Sequence, residues 1–135
     1  MQMVPFSYIS EAKFVNLPAS EHRKVLILDM DETLIHCVDD VESQNPDVIL
    51  EISFEDEETL CAGINLRPHL LECLMEAREC MQIVVFTASH QTYADAILDY
   101  IDPDNEIFSY RMYRQHCVLT PEGYYVKDLR VIRNR

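Results

Sequence analysis

Four consecutive apolar residues, Val25-Leu-Ile-Leu28, run directly into a turn bearing two carboxylates, Asp29 and Asp31, and this junction limits what the chain can fold into more than any other stretch. A continuous Val/Ile/Leu run suits a strand covered on both faces at the centre of a parallel sheet, whereas a half-solvated strand alternates apolar with polar residues. A second run, Met81-Gln-Ile-Val-Val-Phe86, likewise ends in small polar residues, Thr87-Ala-Ser89. Such strands, alternating with helical stretches, predict an α/β architecture. In open sheets of that class ligands gather in the crevice beyond the carboxyl ends of the strands, which is where Asp29 stands.

Carboxylates two residues apart in one turn repel each other unless something neutralises or separates them. A magnesium ion bound by Asp29 and Asp31 together with substrate phosphate oxygens meets that requirement. Phosphoryl transfer follows. Asp29 attacks phosphorus and carries it as an aspartyl-phosphate, while Asp31 protonates the leaving oxygen and then deprotonates the attacking water. Thr33 is placed to hydrogen-bond within the turn. The Thr87 hydroxyl and the amides after it, Ala88 first, are expected to cradle the phosphate, with Met30 added to that set. Negative charge so concentrated needs a fixed cation, and Lys127 is the candidate. Arg114 is a further basic residue that either reaches substrate or stays in solvent. An acidic turn without chemistry also fits a bare Asp-x-Asp, but Asp-x-Asp-x-Thr directly after an apolar strand is more specific.

Leu28-Asp-Met-Asp-Glu-Thr-Leu-Ile-His36 resembles the first motif of the haloacid dehalogenase superfamily, in the form found in RNA polymerase II C-terminal-domain phosphatases and NLI-interacting-factor-like phosphatases. Phe86-Thr-Ala-Ser89 followed by Tyr93-Ala-Asp95 resembles the second motif, and Tyr125-Val-Lys127-Asp-Leu129 the third. The resemblance covers residues 23–130 and implies a Rossmann-like fold with a small β insertion after the first motif. It also implies a magnesium-dependent phosphoserine/phosphothreonine protein phosphatase, with a phosphoprotein or phosphopeptide as substrate and Lys127 neutralising nucleophile and phosphate. The family's fourth motif, an acidic pair on a further strand, finds no counterpart, since the only acid after Lys127 is Asp128. The expectation is therefore a missing C-terminal strand, a sheet edge left for a protein partner to cover, and a rival function. That rival is a catalytically impaired, phosphatase-like scaffold subunit, as in relatives from the mitochondrial inner-membrane translocase.

Residues 1–22 read as an arm that either packs on its own phosphatase-like domain, 23–135, or docks a partner, and within that domain 36–66 form the insertion. There Val48–Phe54 and Thr59–Leu66 predict a hairpin around the solvated acidic tip Glu55–Glu58. Arg67-Pro68 starts a helix with an apolar stripe of Leu70, Leu71, Leu74 and Met75, and Ser89 caps a second helix, His90–Ile101. Phe108–Gln115 predicts a strand, and Pro121-Glu-Gly123 the turn of a last hairpin. The net charge of −13 disfavours nucleic acid and anionic membrane surfaces. Nine Asp/Glu and no Lys/Arg lie between Val38 and Leu66, whereas six of the eleven basic residues lie between Arg111 and Arg135. Five cysteines without a C-x-x-C pair read as free thiols rather than disulfides or a zinc site. No run approaches the ~20 apolar residues of a membrane span, and the chain reads as soluble and intracellular, nuclear or cytoplasmic. A mitochondrial location goes with the rival function.

Overall fold

The computed structural model describes residues 4–55 and 58–135. In chain order the elements are β1 (Val25–Leu28), β2 (Ile35–Val38), α1 (Val41–Gln44), β3 (Val48–Ser53), β4 (Thr59–Leu66), α2 (Leu70–Arg78), β5 (Gln82–Phe86), α3 (Gln91–Ile101), β6 (Tyr110–Met112), β7 (Val118–Leu119) and β8 (Tyr125–Val126). The two apolar runs pair in parallel, Leu28 beside Val85, and β6 joins on the far side with Met112 beside Phe86. The order is β1–β5–β6, so the strand buried on both faces is β5, while β1 lies at the edge and is half-buried throughout. The apolar run of β1 suits a central strand, but among the described residues only β5 pairs with it, and its outer edge stays open.

Alternate residues of β5 face opposite sides. Ile83 and Val85 join α2, α3 and the insertion in one core, through Leu70, Leu74, Ile97 and Leu98. Val84 and Phe86 join Met112 and Val118 in a second core, which the N-terminal segment completes with Ile9, Val15 and Leu17. That segment contains two 3₁₀ turns, Phe6–Tyr8 and Glu11–Lys13. It is tied to the other end of the chain by a Val15–Ile132 bridge and by Asn134, whose amide accepts from Leu17 N–H at 2.9 Å and donates to Leu17 C=O at 2.8 Å. Phe6 and Tyr8 stay exposed.

The insertion is a three-stranded antiparallel sheet, β2–β4–β3, because the chain leaving the Asp29–Asp31 turn pairs as well. Val48, Leu50 and Ile52 turn inward, while Ile49, Glu51 and Ser53 face solvent. Gly63 in β4 is required by close approach, since a Cβ there would lie 2.7 Å from Val38 Cγ2 and 2.9 Å from Pro46 Cγ. Of the acidic tip, Asp56 and Glu57 lie outside the described residues.

Local details depart from the sequence reading. His69, at φ +64°, caps α2, so Pro68 precedes the helix instead of occupying its first turn. Only Leu70 and Leu74 of the expected stripe are buried, one turn apart on the same helix face, whereas Leu71 and Met75 stay exposed. His90 rather than Ser89 is the cap of α3. The strand expected over 108–115 contracts to β6 because the 3₁₀ turn Arg114–His116 brings the chain back to Ser89, whose carbonyl accepts from Arg114 N–H at 3.1 Å.

Asp102 ends α3 and is 3% exposed. Its carboxylate accepts the backbone N–H groups of Glu106, Ile107 and Phe108 at 2.8, 3.0 and 3.0 Å. An Asp102→Asn change keeps the shape but replaces one acceptor by a donor facing N–H groups. Urea unfolding should show a loss of about 1–3 kcal/mol, the cost of a buried polar group left unpaired; an unchanged midpoint would show that the loop finds other acceptors.

Candidate active site

The catalytic turn is shaped by Met30. Its side chain is wholly buried, and in an extended segment residues i and i+2 point away from i+1, so burying Met30 directs Asp29 and Asp31 out of the core. The Met30 carbonyl accepts from the amides of Thr33, Leu34 and Ile35 at 3.2, 2.9 and 3.3 Å, which folds the chain back on itself. Glu32 takes the strained corner at φ +64°. Arg67 locks the far side of the turn, its guanidinium donating to Thr33 C=O and its amide to Leu34 C=O, each at 3.0 Å. Thr33 is thus held through its backbone.

The two carboxylates meet different chemistry. Asp29 Oδ2 lies 2.9 Å from Lys127 Nζ, and Oδ1 accepts from Met30 N–H at 2.8 Å. Asp31 Oδ2 accepts from the Ser89 hydroxyl at 2.7 Å and Oδ1 from the Tyr93 hydroxyl at 3.2 Å. Burial, and then the negative charge of Asp31, hold the Tyr93 phenol above its ordinary range, so it remains a donor. Lys127 arrives from the end of the β7–β8 hairpin, whose turn is closed by Gly123 at φ +92°.

The parallel register brings the end of β5 level with Asp29. Thr87 there is 1% exposed; its amide donates to Met112 C=O at 2.9 Å, and its Oγ1 accepts from Ser89 N–H at 3.1 Å. Ala88 N–H has no intramolecular acceptor among the described residues, whereas the amides of Met30 and Ser89 are spent inside the turns and that of Thr87 on Met112 of β6. Arg114 is neither free in solvent nor loose. Its Nε donates to Ala88 C=O at 2.7 Å, a terminal nitrogen meets His90 Nε2 at 2.9 Å, and its plane sits 4.9 Å above the Tyr125 ring. Asp128 is spent on Arg130, 2.6 Å away, and faces no other carboxylate. Cys117 is buried behind Thr87, and burial pushes its thiol up, so it is no competing nucleophile.

Sequence reading brought Asp29, Asp31, Thr87, Ala88 and Lys127 to one place but missed what holds Asp31. From sequence, Ser89 reads as a helix cap and Tyr93 only as part of the second-motif resemblance. Two hydroxyls four residues apart at the entry to α3, within the second-motif resemblance, were the available signal. Among the described residues no three His, Cys, Asp or Glu side chains gather as a metal cluster. Two carboxylates completed by phosphate oxygens and water still fit magnesium, which commonly keeps several waters and uses one or two protein carboxylates. None of the described helices is long and apolar enough to cross a membrane.

Residues 24–135 match the family model described as NLI interacting factor-like phosphatase. The chain is 40% identical over 109 residues to nuclear envelope morphology protein 1 of Schizosaccharomyces pombe, covering 81% of the chain and 23% of that protein. It is 38% identical over 119 residues to CTD nuclear envelope phosphatase 1B of Danio rerio, covering 83% of the chain and 48% of that protein. It thus spans about a quarter and about half of the length of these relatives. Among solved structures, a variant of the fission yeast RNA polymerase II CTD phosphatase Fcp1 bound to beryllium fluoride superimposes with a TM-score of 0.58 at 20% identity. That match covers 69% of this chain and 30% of the other and reflects the shared fold.

His116 gives this site a pH-dependent support. Its Nδ1 accepts from Tyr113 N–H at 3.0 Å beside the Arg114 clamp, and burial, then the Lys13 charge, hold its pKa below the ordinary 6.5. Its folded-state pKa is depressed, so the stabilisation is full above about 6.5 and is lost as pH falls, because the unfolded chain binds the proton more readily. Denaturation midpoints measured on either side of that value should fall more steeply with acid in the native chain than in His116→Gln; parallel slopes would remove His116 as the cause.

Proposed function

The chain belongs to the NLI interacting factor-like phosphatase family, and on that premise we propose that it is a magnesium-dependent phosphoserine/phosphothreonine protein phosphatase working through an aspartyl-phosphate on Asp29. The observation that carries this reading is the split between the carboxylates. Asp29 stands against a lysine, whose charge also draws a phosphate toward it, and Asp31 stands against two neutral hydroxyls. A carboxylate beside a cation suits a nucleophile, and one held only by hydroxyls is free to carry a proton.

An Asp29 oxygen attacks phosphorus while the bond from phosphorus to the serine or threonine oxygen breaks, and the proton of Asp31 goes to that oxygen. Water then attacks the aspartyl-phosphate, giving its proton to Asp31 and releasing inorganic phosphate and free Asp29. Lys127, the Ala88 amide and Thr87 surround the phosphate, and Met30 holds the turn that aims Asp29. Asp29 and Asp31 are the protein ligands for magnesium, which when bound screens charge between carboxylate and phosphate. Thr33 and Arg114 brace the site through Arg67 and Ala88. The relatives named for the nuclear envelope support a nuclear or envelope-associated setting and a phosphoprotein substrate, and their phosphatase names favour an enzyme over the scaffold reading.

Asp29→Asn should lower turnover by about 10³-fold or more, and beryllofluoride trapping followed by peptide mass analysis should place the adduct on Asp29; an adduct on Cys37 would sink the assignment. The β3–β4 insertion is assigned to select peptides. Shortening its tip should lower kcat/KM for a phosphoserine peptide and spare free phosphoserine, while equal losses would assign it to the fold alone.

A further inference from the structure

We infer that Ser89 and Tyr93 are the positioning residues of Asp31: their two hydroxyls fix its carboxyl group for proton transfer. This inference rests on the phosphatase reading above and on Asp31 acting as the acid and base within it. Each Asp31 oxygen receives one hydroxyl donor, Ser89 at 2.7 Å and Tyr93 at 3.2 Å, so neither rotation of the carboxyl group nor a change of rotamer is free of cost.

The donors are themselves fixed. Ser89 is held by its N–H on Thr87 Oγ1 at 3.1 Å and by its C=O, which accepts from Arg114 N–H at 3.1 Å. Its hydroxyl therefore leaves a backbone pinned on both sides. Tyr93 is half-buried in the first turn of α3 and packs against the main core. The helix that carries it is tethered to β6 through Asp95, which accepts from the Tyr113 hydroxyl at 2.5 Å and from Arg111 at 3.0 Å. Two rigid donors on one carboxyl group supply the alignment that proton transfer demands, where a displacement of about 1 Å can cost about 10²-fold in rate. Both donors are uncharged hydroxyls, whereas the partner of Asp29 is the cation Lys127. The two acids of the motif are thus assigned to separate tasks by their partners rather than by their own chemistry.

The test exploits leaving groups. Serine oxygen is a poor leaving group and needs the Asp31 proton, whereas p-nitrophenolate departs without one; water attack on the aspartyl-phosphate needs Asp31 with either substrate. In Ser89→Ala and Tyr93→Phe, single-turnover transfer from a phosphoserine peptide should slow by about 10- to 100-fold, while the first p-nitrophenol release from p-nitrophenyl phosphate stays near the native rate and is followed by a slowed steady state. Ser89→Thr, which keeps the hydroxyl, should restore peptide turnover. Equal losses on both substrates, or no loss on either, would overturn the positioning role. Asp31→Asn separates the two levels of argument: if it lacks the leaving-group signature, the acid/base reading itself fails; if it shows the signature and the hydroxyl variants do not, only the present inference fails. Independently of turnover, a crystal structure of Ser89→Ala/Tyr93→Phe should show the Asp31 carboxyl displaced, and an unmoved carboxyl would also overturn the inference.

Discussion

A single backbone carbonyl, that of Met30, sets the geometry on which the molecule depends. By gathering the amides of Thr33, Leu34 and Ile35 it stops the parallel strand β1, reverses the chain and starts β2 within a few residues. Burial of the Met30 side chain then leaves the flanking carboxylates no inward orientation. A turn this tight exposes charge at high density, and a folded chain tolerates that only if nearby groups satisfy it. Lys127 comes from one end of the sequence for Asp29, and Ser89 and Tyr93 come from the middle for Asp31. The site is therefore assembled from three separate chain segments that have no local reason to be adjacent.

The division between the carboxylates explains how two like charges coexist without a large separation. One is compensated by a cation and the other by dipoles, so the motif carries a positive and a neutral side. The same asymmetry extends outward. Arg114 is drawn into a clamp over Ala88, His90 and Tyr125, and Arg111 bridges Asp95 and Asp99, so these two hold α3 and the hairpin in place, whereas Arg130, Arg133 and Arg135 reach back to Val4, Glu11 and His22. The acidic insertion meets the same helix, α3, with Phe54, Glu55 and Glu58 lining one cavity together with His90, Gln91 and Asp95.

Much of this was legible in the chain because it is written in short-range patterns. The apolar runs 25–28 and 82–86, the Asp-x-Asp-x-Thr turn, the β3–β4 hairpin and the Gly123 turn each depend on neighbours in sequence. What escaped depended on distant partners. That β1 is an edge strand is a property of sheet order, invisible in its own four residues. Ser89 looks like a helix cap, and a serine in that place usually is one. Here its hydroxyl meets Asp31 instead, and His90 takes the cap without a side-chain bond. Leu71 and Met75 follow the helical period yet remain exposed, because period tells which face is apolar and not how wide a surface awaits it.

The stitching of the chain ends through Val15, Ile132, Leu17 and Asn134 has a kinetic consequence. Contacts separated by more than a hundred residues close a very long loop, and their entropic cost must be met before they reward the chain. The segment bearing Lys127 settles against a core that the N-terminal residues help to build. Helices and the insertion hairpin can order from local contacts, but the pairing of Lys127 with Asp29 belongs to the last, non-local stage of folding.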